Sequence, residues 1–205
     1  MTYDPTKHHR RSVRLRGYDY RQAGAYFVTI CTQNRECIFG QVVEGQMILN
    51  APGQMVELVW RELPQYYAGI EVDAFVIMPN HVHGIIILVG AGPRARPDKS
   101  GQPQGVASTT TMPLPDVVHR FKSLTTAKYR RGVLQDSWPA FPGRLWQRNY
   151  YEHVIRNEEE LRRIQQYVID NPLHWEEDPE NPAVVEAARE PPLHAGFPSP
   201  HEKSP

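Results

Sequence analysis

The chain has 205 residues, of which 40% are apolar, enough for one domain with a real core, so a wholly disordered chain is excluded even at 19 prolines. Its longest purely apolar runs, Ala74–Met78 and Ile85–Val89, fall far short of the roughly 20 residues that span a bilayer; no secretory signal is expected, and two cysteines (Cys31, Cys37) read as free thiols in a reducing cytoplasm rather than a disulfide scaffold. Basic and acidic side chains balance at 23 each, but residues 1–21 sum to +4, 22–93 to −4, 94–148 to +7 and 149–205 to −7, so two basic blocks bracket an apolar middle and could line one groove that tracks phosphates.

Ala25–Thr32 (AYFVTICT) is rich in aromatic and β-branched residues and predicts a strand. Gln41–Val43 and Met47–Leu49 flank Glu44-Gly45-Gln46 as a small hairpin. A helix should follow, capped by Asn50, with Pro52 in its first turn, Met55, Val56, Val59 and Leu63 at helical spacing, and Pro64 as its stop. Val72–Met78 and His81–Val89 read as two strands joined at Pro79-Asn80. Residues 90–113 have the composition of a flexible loop. A helix is expected from about Asp116 to Arg131, burying Val117, Val118, Phe121, Leu124 and Thr125, and Leu145–Arg148 reads as a last strand. Asn157 caps a final helix whose first turn carries Glu158–Glu160 and whose stripe is Leu161, Ile164 and Val168, ending at Asn171-Pro172. Residues 176–205 are acidic and Pro-rich and read as mostly extended or disordered. The order β, α, β, β, α, β, α fits an α+β fold: an antiparallel, ferredoxin-like or RRM-like sheet with helices packed on one face.

His81 and His83 are two apart on a predicted strand, so both imidazoles point the same way from Cα atoms about 6.6 Å apart. Two imidazoles at that spacing can converge on one metal ion. No carboxylate or third histidine follows locally, and His119, His153 and His174 are scattered. A zinc hydrolase would need three or four ligands. The residues therefore favour a harder, more weakly held ion, Mg²⁺ or Mn²⁺, completed by an oxygen ligand, waters and a substrate phosphate. Tyr167 and Asn171 are four apart, on one face of the last helix, and offer a nucleophile and that oxygen. Tyr150 and Tyr151 are rival nucleophiles that residue chemistry alone does not separate from Tyr167.

Met78-Pro79-Asn80-His81-Val82-His83-Gly84 resembles the metal-binding motif of single-tyrosine HUH transposases. Trp146-Gln147-Arg148, Tyr151–Asn157 and Tyr167-Val168-Ile169-Asp170-Asn171-Pro172 are similar to the C-terminal signature of one branch, the REP-associated tyrosine transposases, relatives of bacterial insertion-sequence enzymes. The resemblance runs from about Arg10 to Trp175. It implies His81 and His83 as metal ligands with Asn171 assisting, and Tyr167 rather than Tyr151 as the nucleophile. It implies attack on a phosphodiester of single-stranded DNA, a 5′-phosphotyrosine link and a released 3′-hydroxyl, on substrates that are palindromic-repeat hairpins. Three segments follow: residues 1–24, a basic DNA-contacting arm; 25–175, the transposase domain; and 176–205, the acidic tail. Arg10, Arg11, Arg14, Arg16 and Tyr18 are the expected DNA contacts of the arm, and Arg120, Lys122 and Lys128 a second phosphate-binding face. Monomer and homodimer both remain open. Two rival readings stand beside this one: a non-catalytic hairpin or single-strand binder on an RRM-like sheet, and a metallohydrolase without a covalent step.

Overall fold

The computed structural model describes residues 22–89 and 112–187, together with Asp19. Arg10, Arg11, Arg14, Arg16 and Tyr18, nearly all of the 90–113 segment, and 188–205 lie outside the described residues.

The elements in chain order are β1 (Gly24–Cys31), β2 (Gly40–Val43), β3 (Gln46–Leu49), α1 (Ala51–Tyr66), β4 (Ile70–Ile77), β5 (His81–Leu88), α2 (Leu114–Gln135), β6 (Tyr151–Ile155), α3 (Glu158–Asp170) and a short α4 (Pro182–Ala187). Strands β4, β5, β1 and β6 lie side by side in that order, every neighbour antiparallel. With the hairpin β2–β3 set aside, this is the βαββαβ connectivity and strand order of a ferredoxin-like sheet. The hairpin turns at Glu44-Gly45, both at positive φ (51° and 72°), as a two-residue turn that follows strand twist demands.

Alternation along β1 decides the layers. Tyr26, Val28 and Ile30 are fully buried under α1 and α2, in a core with Trp60, Phe121, Val82 and Ile86. Phe27 faces the other way and packs with Ile85, Ile155, Ile164 and Val168 beneath α3. Helices therefore cover both faces, not one. The reason lies in the strands: β1, β5 and β6 each carry apolar residues on both sides, and the second side needs a cover that α3 provides. Gly84 leaves the room on the sheet that the Trp60 side chain of α1 occupies. A Cβ there would run into the Trp60 indole, which stands edge-on to Phe121 at 5.1 Å.

Three further expectations change. Pro64 does not stop α1, which runs on to Tyr66 with the Tyr67 N–H closing on the Leu63 carbonyl. Proline this near a helix end forgoes one backbone bond and keeps a helical φ. The last strand is Tyr151–Ile155, not Leu145–Arg148, which contributes a single bridge between Trp146 and Thr32. The apolar signal there comes from Trp146, whose buried indole N–H donates to Thr125 Oγ1 at 2.8 Å, so it is an anchor rather than a paired strand. The beginning of the acidic tail is ordered: a 3₁₀ stretch (Asn171–Glu177) leads through buried Asp178 and Asn181 into α4. No helix among the described residues is long and apolar enough to cross a membrane.

Candidate metal centre and nucleophile

On the α3 side of the sheet, β1 and β5 pair so that Thr29 lies opposite His83 and Cys31 opposite His81. Both histidines are buried, with ring centroids 4.4 Å apart. Their orientation can be read from the hydrogen bonds behind them. The Asn80 amide nitrogen donates to the Arg35 carbonyl (3.1 Å) and the Glu180 carbonyl (2.7 Å), so its Oδ1 must face His81. That oxygen accepts from His81 Nδ1 at 2.8 Å, which places the ring proton on Nδ1 and leaves Nε2 as a bare lone pair. His81 Nε2 is buried and has no hydrogen-bond partner. His83 Nδ1 is held by Thr29 Oγ1 at 2.9 Å, which turns its Nε2 the same way. Burial pushes the His83 pKa down to about 3; burial and then the neighbouring His83 hold His81 well below the ordinary histidine range. Both rings are neutral at pH 7, the form a metal takes.

Asp178 completes the group. Its Oδ2 lies 3.8 Å from His81 Nε2 and 4.0 Å from His83 Nε2, and the ligand atoms of the three residues all fall within 4.8 Å of one another. Asp178 is buried, and its Oδ1 accepts the Glu180 N–H at 2.6 Å. Arg35 closes the strap from outside through Glu180 at 2.7 Å, and Trp175 lies tilted over His81 with centroids 6.1 Å apart. Asn171 Oδ1 is a second buried acceptor with no hydrogen-bond partner. Two unpartnered acceptors beside a carboxylate are costly to bury unless a cation meets them, so the donor set fits a divalent ion. The expected set of His81, His83 and Asn171 thereby gains a carboxylate that is absent locally but arrives from 95 positions beyond His83. Nothing in the sequence distinguished Asp178 from the other acids of the tail, and Asn80 read only as a break between strands.

Helix α3 brings up the tyrosine. Asn157 Oδ1 accepts from the Glu160 N–H at 2.8 Å and Glu160 Oε2 accepts from the Arg156 N–H at 2.8 Å, which fixes the helix start. Its buried residues Ile164 and Val168 seat it on the sheet, and Gln165 donates to both carboxylate oxygens of Asp73 at 3.0 Å. Tyr167 then stands with its hydroxyl 3.4 Å from His83 Nε2 and its ring edge-on to Phe27 at 5.9 Å. Tyr151 is as exposed as Tyr167 (45% against 46%), so exposure does not separate them. Proximity does, since among the described tyrosines Tyr167 is the one hydrogen-bonded to a site histidine; Tyr150 packs toward α2, with Lys122 over its ring. Burial, then the Asp178 charge, raises the Tyr167 pKa, so its phenol is protonated at neutral pH.

Of the expected phosphate contacts, Arg120 and Lys128 are exposed on α2. Lys122 is spent otherwise. It turns inward and donates to the carbonyls of Gln147 (3.0 Å) and Asn149 (3.1 Å), and burial lowers its pKa to about 8.

No protein-family model matches the chain. Among solved structures it is similar to a REP-associated tyrosine transposase bound to a REP hairpin, at 19% identity and a TM-score of 0.49 over 78% of this chain and 72% of that one. It is also similar to a candidate transposase of Deinococcus radiodurans, at 21% identity and a TM-score of 0.41 over 78% of this chain and 96% of that one. In sequence it is 40% identical over 178 residues to an uncharacterized protein of Haemophilus influenzae, covering 86% of this chain and 95% of that protein. At that identity and coverage the chain belongs to the same family as the Haemophilus influenzae protein.

Proposed function

We propose that the protein is a divalent-metal-dependent endonuclease and strand transferase acting on single-stranded DNA, with Tyr167 as its nucleophile and palindromic-repeat hairpins as its substrate. The observation that carries this reading is the Tyr167 hydroxyl, 3.4 Å from His83 Nε2 at the edge of the His81, His83 and Asp178 group. Histidines 81 and 83 and Asp178 would hold the ion, with Asn171 Oδ1 as a fourth donor; the ordered motif set found in the sequence supports Mn²⁺ or Mg²⁺. A bound ion would polarise the phosphodiester and offset the charge that develops on it. The chain's own residues do the rest. Phe27 and the helix seat fix the Tyr167 ring, Asn80 holds His81 in the tautomer that leaves Nε2 bare, and Thr29 orients the His83 ring so that its Nε2 also faces inward. The Tyr167 oxygen bonds to phosphorus, its phenol proton leaves, and the bond to the 3′ oxygen breaks and is protonated to a 3′-hydroxyl. One diester replaces another, so attack by that hydroxyl reverses the step without ATP. The arm residues Arg10, Arg11, Arg14, Arg16 and Tyr18, with Arg120 and Lys128, would contact the DNA, and a cytoplasmic setting suits such a substrate.

The test is a denaturing gel of labelled single-stranded hairpins from repeats flanking the gene, incubated with Mn²⁺ or Mg²⁺. A covalent protein–DNA band is expected from wild type and Tyr151→Phe, and none from Tyr167→Phe or His81→Ala. Cleavage that survives Tyr167→Phe without a covalent band would instead support metal-activated water, which the two-histidine, one-carboxylate set also accommodates. Tight binding with no cleavage of any probe would support a binding module.

A further inference from the structure

We propose that His153 and Glu160 form a latch that positions Tyr167, so that His153 serves the strand-transfer reaction without touching the reacting atoms. This rests on the Tyr167 reading above and deepens it. Register places His153 of β6 opposite Phe27 of β1, on the α3 side of the sheet. It lines one groove with Phe27, Tyr151 and Tyr167, a space of about 290 Å³. Its Nε2 lies 2.7 Å from Glu160 Oε1. The Arg156 N–H and then His153 bond to the Glu160 carboxyl and hold it below its ordinary pKa, so it is ionised at neutral pH and can only accept. The proton of the shared bond therefore sits on His153 Nε2. Glu160 Oε2 is occupied at the helix start by Arg156, which leaves Oε1 to the latch. Arg163, at 3.9 Å from Oε1, stands outside hydrogen-bond reach.

What the latch does follows from where α3 is tied. Ile164 and Val168 are its buried residues, with Leu161 packed beside them, a narrow seat about which a helix can roll. Strands β4 and β6 are the two edges of the sheet. Gln165 ties α3 to β4 through Asp73, and Glu160 ties it to β6 through His153. Residues 160 and 165 lie about 140° apart around a helix, so the two ties grip opposite flanks and resist a roll in either direction. Among the described residues, the first two turns of α3 make no other side-chain hydrogen bond to a strand. Tyr167 follows Glu160 by seven residues, about two turns, and so shares its flank. A roll released at Glu160 would carry the Tyr167 hydroxyl from its place 3.4 Å from His83 Nε2. A misplacement of about 1 Å can cost on the order of 100-fold in rate. The pair is partly exposed, at 34% and 17% for the two side chains, so its loss should show in the placement of Tyr167 rather than in global stability.

The experiment compares His153→Phe, which keeps a ring and loses the donor, with His153→Gln, whose amide N–H still reaches Glu160. Full-length protein with labelled tyrosine is observed by NMR in EDTA, and the Tyr167 ring signal is identified by its disappearance in Tyr167→Phe. That signal reports the ring's place, because Phe27 and His83 lie at 5.9 and 5.4 Å from it. His153→Phe and Glu160→Ala are expected to move it toward the position of an exposed tyrosine, and His153→Gln to keep it, with the urea midpoint of both His153 variants near that of wild type. In cleavage of a hairpin with Mn²⁺, His153→Phe is expected to lower kcat about tenfold or more at a KM within about twofold, and His153→Gln to recover most of that loss. A Tyr167 signal unmoved in both His153→Phe and Glu160→Ala would overturn the proposal. So would an equal loss of kcat in His153→Gln and His153→Phe, which would assign the imidazole to proton transfer instead. The NMR arm involves no chemistry: if wild type fails to cleave, the Tyr167 reading fails, and the latch is decided by the ring signal.

Discussion

On β1, Tyr26, Val28 and Ile30 point under α1 and α2 while Phe27, Thr29 and Cys31 point toward α3, so one strand supplies two unlike environments. The α1/α2 side is closed with large aromatics, Trp60, Phe121 and Tyr129 among them, all fully buried. The α3 side closes over five buried apolar residues and leaves the rest of its surface to Thr29, His81, His83, Asn171 and Asp178. A pleat with a period of two residues thus keeps stability and chemistry one residue apart in sequence yet on opposite sides of a sheet. Burying two neutral imidazoles and a carboxylate carries a desolvation cost, and the larger core on the far face is what offsets it.

Truncating the far face gives the largest expected effect. Trp60→Ala removes a fully buried indole wedged against Gly84, Phe75 and Phe121, and should cost about 3–5 kcal/mol in urea unfolding. Tyr167→Phe, at a half-exposed position on the near face, should cost less than about 0.5 kcal/mol. A loss at Tyr167 as large as that at Trp60 would break the division of labour between the faces.

Acid should act on the near face alone. With chelator present, the folded chain holds His81 and His83 neutral far below the pH at which the unfolded chain takes up protons, near 6.5. Their contribution is therefore whole above pH 6.5 and is lost as pH falls toward the His83 value of about 3. The first full unit below 6.5 should remove about 1 kcal/mol for each histidine. Melting temperatures taken in EDTA from pH 7.5 to 5 should fall, and His83→Gln should roughly halve the slope. A flat profile in wild type would mean that the imidazoles are not held neutral.

These two faces were not equally legible from the residues. Elements with strong local signals could be placed to within a few positions: β1 from its β-branched run, α1 and α3 from Asn50 and Asn157, whose side chains cap as their sequence position suggests. The His81–His83 pair was visible because strand alternation converts spacing directly into a shared face. Asp178 was not, because it depends on the chain reversing after Asn171 and on Arg35 and Asn80 catching Glu180 far away in sequence. The strand at Tyr151–Ile155 was hidden for a related reason: it holds Glu152 and His153, and its place in the sheet is set by pairing with β1 rather than by its own composition. Long-range pairing is the part of a fold that periodicity does not encode.

A change in ion affinity rather than in folding probes how the two buried imidazoles depend on that long-range strap. Asn80 does two things at once: its oxygen accepts from His81 Nδ1, and its nitrogen ties the Arg35 and Glu180 carbonyls together, holding the turn that carries Asp178. Asn80→Ala removes both and should weaken Mn²⁺ binding, measured by calorimetry, about 10- to 100-fold. Asn80→Asp separates them. A carboxylate still accepts from His81 and keeps its tautomer, but it cannot donate to the two carbonyls. If the tautomer governs the site, Asn80→Asp should bind within a few-fold of wild type; if the strap governs it, Asn80→Asp should fall as far as Asn80→Ala. The 2.7 Å bond to Glu180, shorter than the 3.1 Å bond to Arg35, favours the strap, because Glu180 N–H also holds Asp178 Oδ1. Asn80→Asp is accordingly expected to lose most of the affinity that Asn80→Ala loses and, because it sets a buried carboxylate against two carbonyl oxygens, to lower the urea midpoint as well.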